Sequence, residues 1–318
     1  MKKILFPVLM LLTVALTAQV DRTKAPLAGP APKINIGNYQ LFTLPNGLKV
    51  IVVENHKLPR VSYNITVDYD PILEGEKAGY VGFAGEIMGS GTQTMKKAHL
   101  DESIDFIGAT FYTSSNGMFG NCLSKHSDKL LGVMSDVLLN PTFPDEELEK
   151  VRKQTISSLQ SEKTSPDALS AKITNVLNFG TDHPYGEFST EETLNAIKRE
   201  DLVNFYQTYW RPNISYLVIV GDITPEVAKQ QAEKYFGSWQ RGEVPKHKYP
   251  MPTAPLAARV AFVPMPGAVQ SVIDITYPVV LRPGTEEAIH AGVLNNILGG
   301  SGFQTRLMQN LREDKGFG

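Results

Sequence analysis

The sequence predicts an α+β protein in which a mixed or antiparallel sheet packs against helices. Near the N-terminal end, apolar and polar residues alternate with the period of a half-buried strand. Helical periodicity dominates the middle of the chain, and a strand-like run at 214–220 lies between two helical runs. With 318 residues, the chain is long enough to bury a substantial core and exceeds one typical domain.

The extreme N-terminus has the order of a secretory signal peptide. Lys2 and Lys3 precede an apolar run over residues 4–15, followed by small residues and then polar Gln19. The run is short for a bilayer span, which needs about 20 apolar residues, so an uncleaved membrane anchor is the less favoured alternative. Residues 1–18 are therefore predicted to be cleaved, and we expect a bacterial, periplasmic or secreted protein without a stable membrane anchor.

Composition limits the partners and the compartment chemistry. The formal net charge is −2 and 20% of residues are charged, which gives no sign of a nucleic-acid partner. Cys122 is the only cysteine, so an intrachain disulfide and a cysteine zinc site are both excluded. Apolar and small neighbours favour a buried, structural role for Cys122.

The first ordered elements should be strands. Residues 19–38 form a Pro-rich leader with little to bury, and order begins near Tyr39. Two β-rich runs, at 39–44 and 48–54, flank Pro45-Asn46-Gly47, a strong hairpin signal. Residues 61–67 then alternate strictly and predict a strand with one buried face.

Helices and further strands follow in the middle of the chain. We expect a helix over 99–107, two strands within 109–124 and a helix from about Ser127, its predicted cap, to 139. Pro144 and three acidic residues suit the first turn of a longer helix. Its predicted inward face comprises Leu148, Val151, Thr155, Ser158 and Leu159. Another helix should begin near Pro166.

The remaining pattern predicts the end of one domain and the opening of another. Residues 201–209, 214–220 and 225–236 indicate helix, strand and helix, and four prolines mark 241–258 as a linker. Strands are predicted around 259–263 and 269–277, then a helix over 285–298 and a helical stretch through 311. The predicted organisation is a first domain at 39–240 and the start of a homologous second domain at 259–318.

Several short motifs occur in a shared order that resembles one family. The chain resembles the pitrilysin/insulinase-type (inverzincin) zinc peptidase family, which includes the mitochondrial processing peptidase. The matching stretches are Leu44-Pro45-Asn46-Gly47, Gly79 with Gly91-Thr92, Asn140-Pro141-Thr142-Phe143, His183-Pro184-Tyr185-Gly186, Trp210-Arg211-Pro212-Asn213, Val220-Gly221-Asp222 and Tyr235-Phe236-Gly237-Ser238-Trp239. Each stretch is weak evidence alone, but together they cover nearly the whole mature chain.

The same resemblance identifies positions where zinc chemistry is expected and missing. The family has H-x-x-E-H on one helical face, two histidines as zinc ligands and the glutamate as general base. In this sequence those positions hold Gly82, Gly85 and Glu86, and the third ligand position falls at Ser158. No two of the six histidines lie at ligand spacing. The sequence therefore predicts no metal in this chain.

Glycines at 82, 85 and 89 lower helix propensity by about 1 kcal/mol each relative to alanine. Two explanations are open. Either the segment is a degenerate helix released from selection for catalysis, or its small face allows another backbone to approach closely. The first is slightly favoured.

The resemblance also implies a role that does not need zinc in this chain. Family members often pair a zinc-bearing chain with one that supplies an arginine and a tyrosine near the scissile bond. Arg312 matches that arginine, and Gly299, Gly300, Ser301 and Gly302 match a Gly-rich substrate loop of the non-catalytic processing-peptidase subunit. A solvated surface charge and a simple helix stop are the alternatives for these two features.

The expected function is an exported non-catalytic subunit of a heteromeric zinc metallopeptidase. It would contribute substrate-binding and transition-state groups to a homologous, zinc-bearing partner chain that acts on peptides, and zinc is expected only in that partner. One alternative is a peptide-binding or assembly protein without a proteolytic role. Another, less favoured, is an active zinc endopeptidase whose zinc ligands lie at positions other than those assigned above.

Overall fold

A computed structural model describes residues 29–30, 37–300 and 302–317 of the chain. The predicted signal peptide at 1–18 and most of the predicted leader at 19–38 lie outside the described residues. Ser301, one member of the predicted Gly-rich loop, also lies outside them. All of the helices and strands discussed below belong to residues 39–317.

The described chain forms a six-stranded mixed sheet. The strands are β1 (Gln40–Thr43), β2 (Lys49–Glu54), β3 (Arg60–Val67), β4 (Thr110–Ser114), β5 (Gly117–Leu123) and β6 (Ser215–Gly221). Their order across the sheet is β1-β2-β6-β3-β5-β4. Only β2 and β6 run parallel, and the other neighbours are antiparallel. The predicted hairpin is confirmed, with Gly47 at a φ of 92° in the turn.

Helices lie in the connections from β3 to β4 and from β5 to β6, and two more follow β6. The helices are α1 (Tyr80–Ile87), α2 (Lys97–Phe106), α3 (Ser127–Leu139), α4 (Asp145–Glu162), α5 (Pro166–Phe179), α6 (Glu191–Ala196), α7 (Arg199–Tyr209), α8 (Pro225–Phe236) and α9 (Glu286–Asn295). Ser127 is the first residue of α3 rather than its cap, which is His126. None of the helices in the described part of the chain is long and apolar enough to cross a membrane.

One face of the sheet forms the core. Alternate residues of the central strand β3 (Val61, Tyr63, Ile65 and Val67) are buried, as the alternation predicts. Cys122 on β5 is fully buried beside them, and burial raises the pKa of its thiol to about 11. The opposite face carries half-exposed side chains such as Ile51, Phe119 and Val218. The predicted α+β class is confirmed.

The strands predicted around 259–263 and 269–277 do not form. Residues 259–281 contain no strand, and their apolar side chains are largely exposed, for example Val269 and Ile275. A strand needs a neighbour that accepts and donates its backbone hydrogen bonds. Residues 259–281 pair with no strand in the described structure, so their alternation has no sheet to join. The helix predicted at 285–298 does form as α9, which continues into a π-helical turn at Asn296–Gly300.

Candidate functional site

Helix α1 occupies the position where the family resemblance places the zinc site. It begins after Gly79, whose φ of 112° suits glycine. The Glu74 carboxylate accepts hydrogen bonds from the backbone N–H groups of Gly79 (2.9 Å) and Val81 (3.0 Å). Burial raises the pKa of this carboxyl group, and these two donors oppose that rise. Glu74 therefore satisfies amide groups that would otherwise be unpaired at the start of the helix.

Two glycines of α1 have opposite surroundings. Gly82 is exposed, and a Cβ built on it would meet no atom within 4 Å. Gly85 is buried, and a Cβ there would lie 2.5 Å from the Cα of Ser115 and overlap the backbone of Ser114. The turn between β4 and β5 thus rests directly on Gly85.

This contact decides between the two explanations for the glycines. At Gly85 the small face is needed for close approach of another backbone, which is the explanation that the sequence had favoured less. At Gly89 the contact is milder, because a Cβ would lie 3.1 Å from Oγ1 of Thr113. Gly82 has no such neighbour. Of these glycines, only Gly82 therefore fits the first explanation, a degenerate helix without steric constraint.

Ser158 does not face inward as predicted. It is exposed on α4, whereas Leu148 and Val151 nearer the start of that helix are buried. The apolar stripe weakens after Val151, because the residues that follow include Gln154, Ser157, Ser158 and Gln160, which gain little from burial. The position expected for a third ligand therefore carries an exposed hydroxyl group.

The residues at the four expected positions do not fit zinc. Two are glycines without ligand atoms, and Ser158 has only a neutral hydroxyl group. Glu86 is exposed and offers a single carboxylate, whereas protein zinc sites use several nitrogen, sulfur or carboxylate ligands. Across the described part of the chain, no three His, Cys, Asp or Glu side chains lie close enough together to hold a metal ion.

The Gly91-Thr92 pair has a structural role that the sequence did not reveal. The Asp136 carboxylate on α3 accepts hydrogen bonds from Oγ1 of Thr92, Oγ1 of Thr94 (2.6 Å) and Nδ2 of Asn140 (2.8 Å). Gly91 adopts a φ of 149° just before this cluster. The pair therefore ties the segment after α1 to α3.

Arg312 lies in a π-helical stretch at Met308–Asp314 and is exposed. Its guanidinium carbon sits 5.7 Å from the ring centre of Phe303, and its Nε lies 4.0 Å from a carboxylate oxygen of Glu313. Both partners are within ten residues of it along the chain. An exposed guanidinium held this loosely retains donors for a ligand.

The predicted Gly-rich loop is only partly described. Gly299 and Gly300 belong to the π-helical turn after α9, and Gly302 has a φ of 83°. A Cβ on Gly299 would lie 2.9 Å from Cδ1 of Leu307. Gly299 therefore allows the Leu307 side chain to approach its backbone closely.

A second polar cluster, which the sequence did not predict, lies at the C-terminal end of β2. The ring of His56 lies between two carboxylates, with Nδ1 2.6 Å from Asp222 and Nε2 2.6 Å from Glu54. Ser124 donates a further hydrogen bond to Asp222 (3.0 Å). Asp222 and Glu54 raise the pKa of His56, and His56 and Ser124 lower the pKa of Asp222.

Comparison with known proteins agrees with the motif order. A family model described as the peptidase M16 inactive domain matches residues 196–318. An uncharacterized zinc protease, YmxG, of Bacillus subtilis is 26% identical over 284 residues, covering 86% of this chain and 67% of that protein. The mitochondrial-processing peptidase subunit beta of Caenorhabditis elegans is 24% identical over 290 residues, covering 86% and 62% of the two chains. Residues 196–318 therefore match an M16 inactive-domain model, and most of the chain is similar to these zinc-protease and processing-peptidase sequences.

Solved structures share the M16 fold. The peptidase M16 inactive domain from Pseudomonas fluorescens superposes with a TM-score of 0.72 at 21% identity, covering 88% of this chain and 68% of that chain. The periplasmic protease PqqL from Escherichia coli gives a TM-score of 0.57 at 16% identity, covering 68% and 25%. The M16 family model covers residues 196–318 and not α1, so the assignment of zinc-site positions on α1 stays a prediction from the sequence motifs.

Proposed function

We propose that this M16 chain is an exported, non-catalytic subunit that works with a homologous, zinc-bearing peptidase chain. The observation that carries the proposal is the state of α1. The positions that correspond to H-x-x-E-H hold Gly82, Gly85 and Glu86, and the β4–β5 turn occupies the space that a side chain at position 85 would need. A protein that kept the M16 fold in this form contributes something other than its own zinc site.

What the chain would contribute is substrate contact. Arg312 carries an exposed guanidinium group whose neighbours are one ring and one distant carboxylate. Placed near a scissile peptide bond, such a group stabilises the negative charge that develops on the carbonyl oxygen. Zinc, the activated water and the general base would all come from the partner, so no cofactor is assigned to this chain.

Reconstitution tests the proposal directly. The full-length chain is mixed with a zinc-bearing M16 chain from the same cell, and peptide hydrolysis is followed. We expect activity well above that of the partner alone, and we expect Arg312→Ala to lower kcat about 10²-fold or more, in the range for loss of an oxyanion-stabilising group. Arg306→Ala is the matched control, because Arg306 is another exposed arginine, two residues before the stretch that carries Arg312.

Three outcomes contradict the subunit proposal. Activity that does not rise on mixing favours the second candidate, a peptide-binding or assembly protein without proteolytic role. Equal effects of the Arg312 and Arg306 substitutions remove the assigned role of Arg312. Stoichiometric zinc in the isolated chain, with activity lost to a chelator, shows that it is a zinc peptidase after all.

Export is the remaining part of the proposal. It rests on the charged, apolar and small-residue order of residues 1–18. Cell fractionation with an N-terminal sequence of the mature chain tests it, and the expected first residue is Gln19. Recovery of the chain from the cytoplasm with Met1 intact contradicts export.

A further inference from the structure

We propose that residues 244–249 act as a strap that couples the linker mechanically to helix α1 and to the β4–β5 turn. The strap binds the entry segment, defined as residues 68–79, which leads from β3 into α1. Movement of the linker would then be transmitted to the degenerate site. The proposal concerns this chain alone and does not depend on a catalytic partner.

The entry segment is held mainly by other parts of the chain. Its one regular feature is a 3₁₀ turn at Gly75–Lys77. The Glu187 carboxylate accepts hydrogen bonds from the backbone N–H groups of Glu74 (2.7 Å) and Gly75 (2.5 Å). Thr193 donates a hydrogen bond to the carbonyl of Ala78 (3.0 Å). A segment with so little internal structure takes its position from such external contacts.

The strap contacts the entry segment at two residues, Asp70 and Leu73. The backbone N–H of His247 donates to Oδ2 of Asp70 (3.0 Å), and Nζ of Lys246 lies 3.9 Å from the same oxygen. The hydroxyl of Tyr249 accepts a hydrogen bond from the backbone N–H of Leu73 (3.1 Å). The strap thus grips the entry segment at two points three residues apart.

The strap is itself fastened to the body of the molecule. Asn213 exchanges two hydrogen bonds of 3.0 Å with the backbone of Gly242, just before the strap. Val244 packs against the hydrophobic core. Nε2 of His247 lies 2.8 Å from the hydroxyl of Tyr209 on α7. Immediately beyond the strap, Met251 and Leu256 are exposed, so a force applied to the later linker acts on the strap first.

From the entry segment, two routes lead to the degenerate site. The hydroxyl of Tyr69 donates to the carbonyl of Ser115 (3.1 Å), the residue that rests on Gly85. Glu74 holds the first N–H groups of α1. Displacing the residues between Tyr69 and Glu74 therefore shifts both the turn and the helix start.

Hydrogen exchange of the full chain tests the coupling. The double variant Asp70→Ala/Tyr249→Phe removes both acceptors that join strap and entry segment. We expect amide exchange in residues 80–87 and 112–117 to rise about tenfold, the effect of losing two ordinary hydrogen bonds. The matched control is Asp128→Ala/Tyr235→Phe, which removes another surface tyrosine–aspartate pair, on α3 and α8.

The pattern of exchange decides the question. A rise confined to residues 68–73 and 244–249 overturns the proposal, as does an equal rise in the control variant. The single variant Tyr249→Phe keeps the ring and removes only one hydroxyl, so it tests the same pattern with less risk to folding. It should give a smaller rise in the same two regions, and no rise there would also overturn the coupling.

Discussion

Two isoleucines in nearly the same local sequence differ completely in solvent exposure. Ile65 lies between Asn64 and Thr66 on β3 and is fully buried, whereas Ile275 lies between Asp274 and Thr276 and is 94% exposed. β3 has β5 on one side and β6 on the other. Residues 259–281 pair with no strand in the described structure.

The comparison shows that alternation predicts a face and not a strand. Alternating residues place apolar side chains on one side of an extended chain, whatever its surroundings. A sheet forms only where neighbouring strands accept the backbone hydrogen bonds and a helix layer covers the apolar face. Helices α3 and α8 pack toward the sheet that contains β3. Residues 259–281 pair with no strand in the described structure, and their hydrogen bonds to helix α5 involve the polar side chains of Asp274 and Thr276 and leave Ile275 exposed.

The sharpest way to break the comparison is to truncate both isoleucines. Ile65→Ala should lower the free energy of unfolding by about 2–5 kcal/mol, because it removes buried methylene groups and leaves a cavity. Ile275→Ala should change it by less than about 0.5 kcal/mol, because the side chain is already in water. Urea denaturation followed by tryptophan fluorescence measures both changes in unfolding free energy, since Trp210 and Trp239 are buried and report on unfolding.

Equal losses for the two variants would show that residues 259–281 are packed in solution as β3 is. A loss at position 275 alone would reverse the comparison entirely. Either result would mean that residues 259–281 pack against another surface in solution.

A smaller contrast lies within α1 itself. Gly85→Ala should lower the free energy of unfolding by about 1–3 kcal/mol, because the new methyl group displaces the backbone of Ser114 and Ser115. Gly82→Ala should raise it by about 1 kcal/mol, since alanine is the better helix former and the site is open. Thermal unfolding of the two variants beside the parent chain gives the signs.

The contrast within α1 extends to metal binding. Gly82→His/Gly85→Glu/Glu86→His introduces H-x-x-E-H into α1. We expect no stoichiometric zinc by elemental analysis, because a side chain at position 85 would displace the turn that packs on α1 and because Ser158 offers no carboxylate as third ligand. Tight zinc binding by this triple variant would show that the turn yields easily. So would a stabilising Gly85→Ala.

The smallest expected effect concerns the exposed cluster at His56. Its folded pKa is raised above 6.5, so the stability it contributes is complete below pH 6.5 and is lost as the pH rises through the folded value. Asp222 has a lowered pKa, so its contribution is lost as the pH falls through that value. An NMR titration should place the His56 midpoint above 6.5, and Asp222→Asn should lower it. A midpoint unchanged by that substitution contradicts the assigned cause.

Much of the secondary structure of residues 39–240 could be predicted, because its sequence signals are local. The Asn46-Gly47 turn, the alternation of β3 and the acidic start of α4 each depend on neighbouring residues. The pairing of β2 with β6 was not predictable in the same way, because 160 residues separate the strands and their contact depends on tertiary packing.

The assignment of Gly82, Gly85 and Glu86 to the H-x-x-E-H positions stays a prediction from the sequence. The surroundings of these positions could not be predicted, because the turn that covers Gly85 comes from about thirty residues away. The burial of Ser158 was overestimated, because helical periodicity says which residues share a face and not how far the core extends. The strap left no sequence signal, since its contacts join residues about 175 positions apart.

The contact between Gly85 and the β4–β5 turn also bears on how such a chain evolves. While the turn rests on Gly85, a single substitution to glutamate at that position is harmful before it is useful. Under the proposed function, a gain of zinc catalysis by this chain would require the turn to move and several ligands to appear together. The packing of the turn would therefore favour retention of the non-catalytic form.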